Sequence, residues 1–161
     1  MRYFLCLGSN LGPKKANLAE AVLLLENRRL KILKASSLYE TQPVGLTDQP
    51  WFLNQVIEVE SGMAPASLLT AVKEIERQMG RMSSDKRSRI IDIDILLAEE
   101  TVMKTETLEI PHPRLEKRNF VLIPLKEIAP DVVHPILHST IEELWKESPD
   151  RSKVRQVVGE E

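Results

Sequence analysis

An α+β domain built on an antiparallel sheet is the fold this sequence predicts, on three observations. Segments with two-residue alternation and segments with helical spacing follow one another in the order β-α-β-β-α-β. Glycine, proline and asparagine punctuate the joins between them. The 161 residues, 42% hydrophobic and 29% charged, suffice for a single domain with its own core. That core is expected over about 1–135, with a further helix and tail over 136–161.

Arg2 to Leu7 reads as a short buried strand, ended by Gly8-Ser9-Asn10 and Gly12-Pro13. A helix follows, with Leu18, Val22 and Leu25 at helical spacing. Leu30 to Glu40 alternates loosely and reads as a second strand, and Gln42 to Pro50 as a loop. Phe52 to Glu60 is a third strand, with Phe52, Asn54 and Val56 on one face and Leu53, Ile57 and Val59 on the other. Pro65 at a first helical turn and Gly80 past the end bracket a second helix, whose stripe is Leu68, Val72, Ile75 and Met79. A polar loop, Arg81 to Ser88, leads into the strand Arg89 to Leu97. This is the ferredoxin-like plan, an antiparallel sheet with helices on one face. Residues 110–135 hold five of the ten prolines, and a C-terminal Pro-rich extension of irregular structure is expected there. Ser139-Thr140-Ile141-Glu142 reads as a capping box opening a short helix through Trp145. The polar tail from Pro149 to Glu161 reads as mobile.

Composition narrows the function. A net charge of −2 is poor for a nucleic-acid or anionic-membrane binder, which needs a basic excess. The apolar run Tyr3 to Leu7 is too short for a signal segment or a membrane span, so a cytoplasmic protein is expected. The single cysteine, Cys6, excludes an internal disulfide and reads as a buried, inert thiol.

The last strand carries the most information. Asp92 and Asp94 share one face, while Ile91, Ile93, Ile95 and Leu97 take the other. Two carboxylates about 6–7 Å apart along a strand repel unless a cation sits between them. Mg²⁺ suits them, because it takes one or two carboxylates together with phosphate oxygens and water. A solvated acidic face is the other reading, and the segment alone leaves both open. Arg81, Lys86, Arg87 and Arg89 crowd the approach to this strand; His112, Arg114, Lys117 and Arg118 crowd a second segment. Metal and arginines together form the usual clamp on a phosphoryl group, whereas each cluster alone is equally a charged surface. Leu7-Gly8-Ser9-Asn10-Leu11-Gly12 follows a strand and precedes a helix, yet no Gly-Lys-Ser/Thr follows, so by itself it is a tight turn. Phe52 beside Asn54 offers an apolar surface next to an amide that donates and accepts, which suits either a planar heterocycle or a core edge.

Five motifs taken together carry a resemblance. LGSNLG at 7–12, SSLYETQPVG at 36–45, DQPWFLNQV at 48–56, RSRIIDIDILL at 87–97 and IPHPRLEKRNFVLIPLKEIAP at 110–130 resemble, in register, the 6-hydroxymethyl-7,8-dihydropterin pyrophosphokinases of folate biosynthesis. The resemblance implies a ferredoxin-like fold and transfer of pyrophosphate from ATP to the pterin's hydroxymethyl oxygen, releasing AMP. It implies Asp92 and Asp94 as ligands of Mg²⁺, two ions, with Arg89 also catalytic. Its pterin site falls on Thr41, Gln42, Val44, Phe52, Asn54 and Phe120, the ring lying between the two phenylalanines. Its ATP site falls on Arg81, Arg89, His112, Arg118 and the neighbouring Arg114. Partners are the two small-molecule substrates, with no nucleic acid, membrane or obligate protein partner. Three departures stand out. Lys86-Arg87-Ser88 replace an aromatic-Gly-Pro run of many relatives, Gln42 stands where some have proline, and Thr107 and Glu109 differ from a basic and a hydroxyl residue. The polar segment 81–88 is expected to close over ATP as a lid held more by charge than by stacking. Rival readings are a ferredoxin-like RNA-binding module, disfavoured by 4% aromatics and the acidic strand, and a metabolite-binding regulatory domain, which has no need of the Asp pair.

Overall fold

The structure, a computed structural model, describes residues 1–42, 50–80, 90–150 and 152–157. Val44, Arg81, Arg89 and the lid expected over 81–88 lie outside the described residues. The elements in chain order are β1 (Arg2–Ser9), α1 (Lys14–Asn27), β2 (Lys31–Ala35), β3 (Tyr39–Thr41), β4 (Phe52–Glu60) and α2 (Pro65–Gln78). There follow β5 (Asp92–Ala98), β6 (Met103–Lys104), β7 (Glu109–Ile110), a 3-10 turn (Leu115–Lys117), α3 (Asn119–Ile128), α4 (Ile141–Glu147) and β8 (Val154–Gln156).

β1 is central, antiparallel to β4 on one side and to β5 on the other. β2 and β3 both pair antiparallel with β4, and β8 continues the sheet from β3. Alternation along these strands builds two cores. Tyr3, Leu5, Leu7, Leu53, Ile57, Ile93 and Ile95 meet Leu18 and Leu25 of α1 and Leu68, Val72 and Ile75 of α2. On the opposite face Phe4, Cys6, Val56, Leu96 and Leu97 meet Val121, Leu122 and Leu125 of α3 and Ile141 and Leu144 of α4.

Pro65 starts α2 and Gly80, at φ +94°, follows its end, as the sequence predicts. Several expectations are corrected. The second strand is broken into β2 and β3, because Ser36 turns aside: its N–H donates to Val56 O (2.8 Å) and its hydroxyl accepts the Val56 N–H (3.0 Å). Leu97 faces the second core instead of joining Ile93 and Ile95, because a bulge opposite Phe4/Leu5 inserts Leu96 and reverses the alternation. Residues 110–135 are not an irregular wrap: α3 forms within them around Pro124, and its apolar face covers the sheet's second side. The capping box lies one residue later, with Thr140 accepting the Glu143 N–H (3.1 Å) and Glu143 accepting the Thr140 N–H (2.8 Å). In the tail, β8 is ordered against β3. No described helix is long and apolar enough to cross a membrane.

Candidate active site

Three neighbouring strands put the predicted residues in two rows. Asp92, Gly8 and Asn54 stand opposite one another on β5, β1 and β4; Asp94, Cys6 and Val56 form the next row. Adjacent strands are about 4.8 Å apart, so Asp92 and Asn54 are separated by roughly 10 Å. Gly8 lies between them, inside β1, and is not the turn residue its context suggested; Gly12, at φ +76°, takes the left-handed conformation. A Cβ at Gly8 would stand 2.5 Å from Asn54 Oδ1 and 3.5 Å from Phe52 Cδ1. The missing side chain leaves room for the Asn54 amide.

Asn54 and Thr41, 3% and 2% exposed, are joined by an Nδ2–H bond to Thr41 Oγ1, so the strand pair β3–β4 fixes both. Gln42 follows: its N–H donates to Lys153 O (3.1 Å) and its Oε1 accepts the Lys153 N–H (3.3 Å). Phe52 and Phe120 are half-buried, Phe120 in the first turn of α3 with the Arg118 guanidinium 5.4 Å from its ring centre. The segment after β1 reaches across to the start of β4. Asn10 Nδ2 donates to Pro50 O (3.3 Å) and Lys14 Nζ to Trp51 O (3.0 Å), steadying the approach to Phe52.

The charged residues gather on the Asp side. Burial and then Arg114 pull the Arg118 guanidinium below its usual range, while Asp94, Cys6 and Asp92 oppose them, so Arg118 shares the field of both carboxylates. The bulged Leu96 turns its carbonyl to the His112 N–H (2.9 Å), which brings the His112 segment onto the same strand as Asp94. Burial first, then Arg118 and Arg114, hold the His112 imidazole below its ordinary value, against the pull of Glu109 and Glu116. Its Nδ1 accepts the Arg114 N–H (3.2 Å), so the neutral ring carries its proton on Nε2, a donor for an anion. Burial, then Asp94 and Asp92, push the Cys6 thiol up, as an inert core residue requires.

A cavity of about 310 Å³ opens beside Asp94 and His112. Leu69, Lys73, Ile95, Thr107 and Glu109 help to line it. Sequence reasoning did not single out Leu69 and Lys73 for this surface, and left Thr107 and Glu109 unassigned. Leu69 and Lys73 stand one turn apart beside the core stripe of α2, a spacing that marks a shared face without saying what the face meets. Among the described residues no group of three or more His, Cys, Asp or Glu could hold a metal ion. Asp92 and Asp94 are two half-buried carboxylates on one face of β5.

Comparison with known proteins supplies the rest. A family model described as 7,8-dihydro-6-hydroxymethylpterin-pyrophosphokinase (HPPK) matches residues 4–130. The chain is 40% identical over 146 residues to the 2-amino-4-hydroxy-6-hydroxymethyldihydropteridine pyrophosphokinase of Aquifex aeolicus, covering 90% of this chain and 91% of that protein. It is 41% identical over 150 residues to the folic acid synthesis protein fol1 of Schizosaccharomyces pombe, spanning 92% of this chain but only 20% of that protein. The HPPK-DHPS of Plasmodium falciparum, solved with pteroate, matches in fold with a TM-score of 0.74 at 20% identity, over 91% of this chain and 42% of that one. The chain belongs to the 7,8-dihydro-6-hydroxymethylpterin-pyrophosphokinase family, enzymes that transfer pyrophosphate from ATP to hydroxymethyldihydropterin in folate synthesis.

Proposed function

We propose that this chain carries out the family's reaction as a single catalytic domain, at the place where β5, β1 and β4 meet. The heterocycle lies on Phe52, Asn54, Thr41, Gln42 and Phe120, and the ATP phosphates lie toward Asp92 and Asp94. The register Asp92–Gly8–Asn54 carries this reading. An amide that reads a ring edge and a carboxylate pair about 10 Å away suit one small substrate, held by its ring at one end and reacting at the other. With β2 and β3 counted as the two halves of one broken strand, the order β-α-β-β-α-β through β5, with β1 between β4 and β5, also supports a ferredoxin-like reading of the core.

Asp92 and Asp94 fit Mg²⁺ by the chemistry of the donor set, two half-buried carboxylates on one strand face, which would leave the ion's remaining positions to phosphate oxygens and water. When bound, the ions would neutralise charge on the ATP phosphates. The hydroxymethyl oxygen attacks the β-phosphorus, the bond from that phosphorus to the α–β bridging oxygen breaks, and AMP leaves while the hydroxyl proton passes to solvent. Arg118 and His112 Nε2–H supply donors to phosphate oxygens, joined by Arg114 and, on the strength of the resemblance, by Arg81 and Arg89. Val44 joins the pterin side on the same ground. Neutral His112 binds without acting as a base.

The test is incubation with ATP, Mg²⁺ and 6-hydroxymethyl-7,8-dihydropterin, with separation of the nucleotides. AMP and pterin diphosphate in equal amounts are expected. ADP as the product, or AMP formed equally without the pterin, would overturn the reading.

A further inference from the structure

The C-terminal segment meets the two walls of the pterin site at separate points, and neither contact is explained by core packing. At the α3 wall, the Asp150 carboxylate Oδ2 accepts the Asn119 N–H (2.8 Å), and the Asp150 carbonyl accepts Asn119 Nδ2–H (2.9 Å). Asn119 opens α3 immediately before Phe120, and the preceding Arg118 makes no side-chain cap of its own. A helix start leaves N–H groups without intrahelical partners and favours a negative charge. Asp150 supplies both from 31 residues away. The same carboxylate turns the chain toward β8, since its Oδ1 accepts the Ser152 N–H (2.8 Å).

At the β3–β4 wall, the Lys153 carbonyl accepts the Gln42 N–H and the Lys153 N–H donates to Gln42 Oε1, and β8 pairs with Tyr39–Thr41. Arg155 reaches further: its guanidinium lies 4.9 Å from the Trp51 ring centre and 3.2 Å from Glu40 Oε1. Trp51 directly precedes Phe52. The Arg155 side chain is 68% exposed, so it contributes little to the core.

From these contacts we infer that Asp150 and Arg155 are positioning residues for the heterocycle, Asp150 setting Phe120 and Arg155 setting Trp51–Phe52. This rests on the pterin reading above. The contacts described for the two residues fall on Asn119, Ser152, Trp51 and Glu40, on the pterin walls and the tail.

The test is steady-state kinetics of the full chain and its Arg155→Ala, Asp150→Ala and Asp150→Asn variants, with melting temperatures measured alongside and Phe52→Ala as a control. Arg155→Ala and Asp150→Ala are each expected to raise the pterin KM about five- to tenfold, the scale of one lost charged contact. The ATP KM should stay within about twofold. Asp150→Asn, which keeps an acceptor for the Asn119 N–H, should recover most of the loss. Parallel rises in both KM values, or a change confined to melting temperature, would assign these residues a general structural role and overturn the inference. Normal pterin KM in both alanine variants while Phe52→Ala is impaired would overturn it too, yet leave the pterin site standing. A normal pterin KM in Phe52→Ala as well would remove the site itself.

Discussion

A methyl group at Gly8 would stand 2.5 Å from Asn54 Oδ1, closer than a Cβ tolerates. Gly8→Ala must therefore turn the Asn54 amide away or strain its bond to Thr41. The expected result is a loss of pterin binding of about 1–3 kcal/mol, as for a heterocycle edge left unpaired. Calorimetry with a pterin analogue, an ATP analogue being present, checks this; a wild-type dissociation constant would show that Asn54 does not read the ring. Asp94→Ala should stop AMP release while leaving the chain folded, since the repulsion from Asp92 that it relieves offsets the attraction to Arg118 that it removes. A variant that melts early but keeps full activity in its folded fraction would remove Asp94 from the chemistry. Phe52, Asn54 and the Asp pair were legible as face-sharing residues, because two-residue alternation is a local property. The place of Gly8 was not legible, because it depends on which residues of β4 and β5 lie opposite. The place of His112 was hidden for the same kind of reason: the Leu96 carbonyl that accepts its backbone N–H belongs to another segment.

At the scale of elements, β5 is an edge strand, and an edge leaves backbone N–H groups in need of partners. Glu76 of α2 answers one of them. It is 1% exposed, and its Oε2 accepts the Ile93 N–H at 2.8 Å. Glu76→Ala should cost about 1–3 kcal/mol of stability by orphaning that N–H, and Glu76→Gln less, since an amide oxygen still accepts. Urea unfolding of the three proteins gives the answer, and coincident midpoints would show the contact to be idle. The sequence marked Leu68, Val72 and Ile75 by their spacing, but a glutamate beside that stripe reads as a solvated charge, and only the docking of α2 on β5 makes it internal. α1, α2, β1, β4 and most of β5 were legible because each carries its own period. α3 was obscured by prolines. Pro124 removes one intrahelical donor, yet Val121, Leu122 and Leu125 cover Phe4, Cys6, Val56 and Leu97, and packing of an apolar face outweighs local propensity.

Over the whole molecule, the sheet is a shared wall between two cores, so α3, α4 and the turn between them are a structural layer and not an appendage. That turn is organised by His134, which is 4% exposed. Its Nδ1 accepts the N–H groups of Ile136 (3.2 Å) and Leu137 (3.1 Å), while its backbone N–H donates to Ser139 O (2.9 Å). A protonated ring would put an N–H against two N–H donors. Burial first, and His138 after it, hold the imidazole below its ordinary 6.5, with Glu116 opposing. The folded state then binds fewer protons than the unfolded chain between the lowered value and 6.5, so stability must fall as the pH drops through that window. It is fully present above pH 6.5, where both states are neutral. His134→Asn should be less stable than the wild type at pH 7.5 and should lose less on going to pH 5, narrowing the gap between them by on the order of 1 kcal/mol for each unit of lowered pKa. Titrating groups that do not interact with His134 are common to both proteins and cancel in that difference. Urea unfolding of both from pH 7.5 to 5 measures it, and two curves that run parallel across the whole range would show that His134 titrates alike in the folded and unfolded chain.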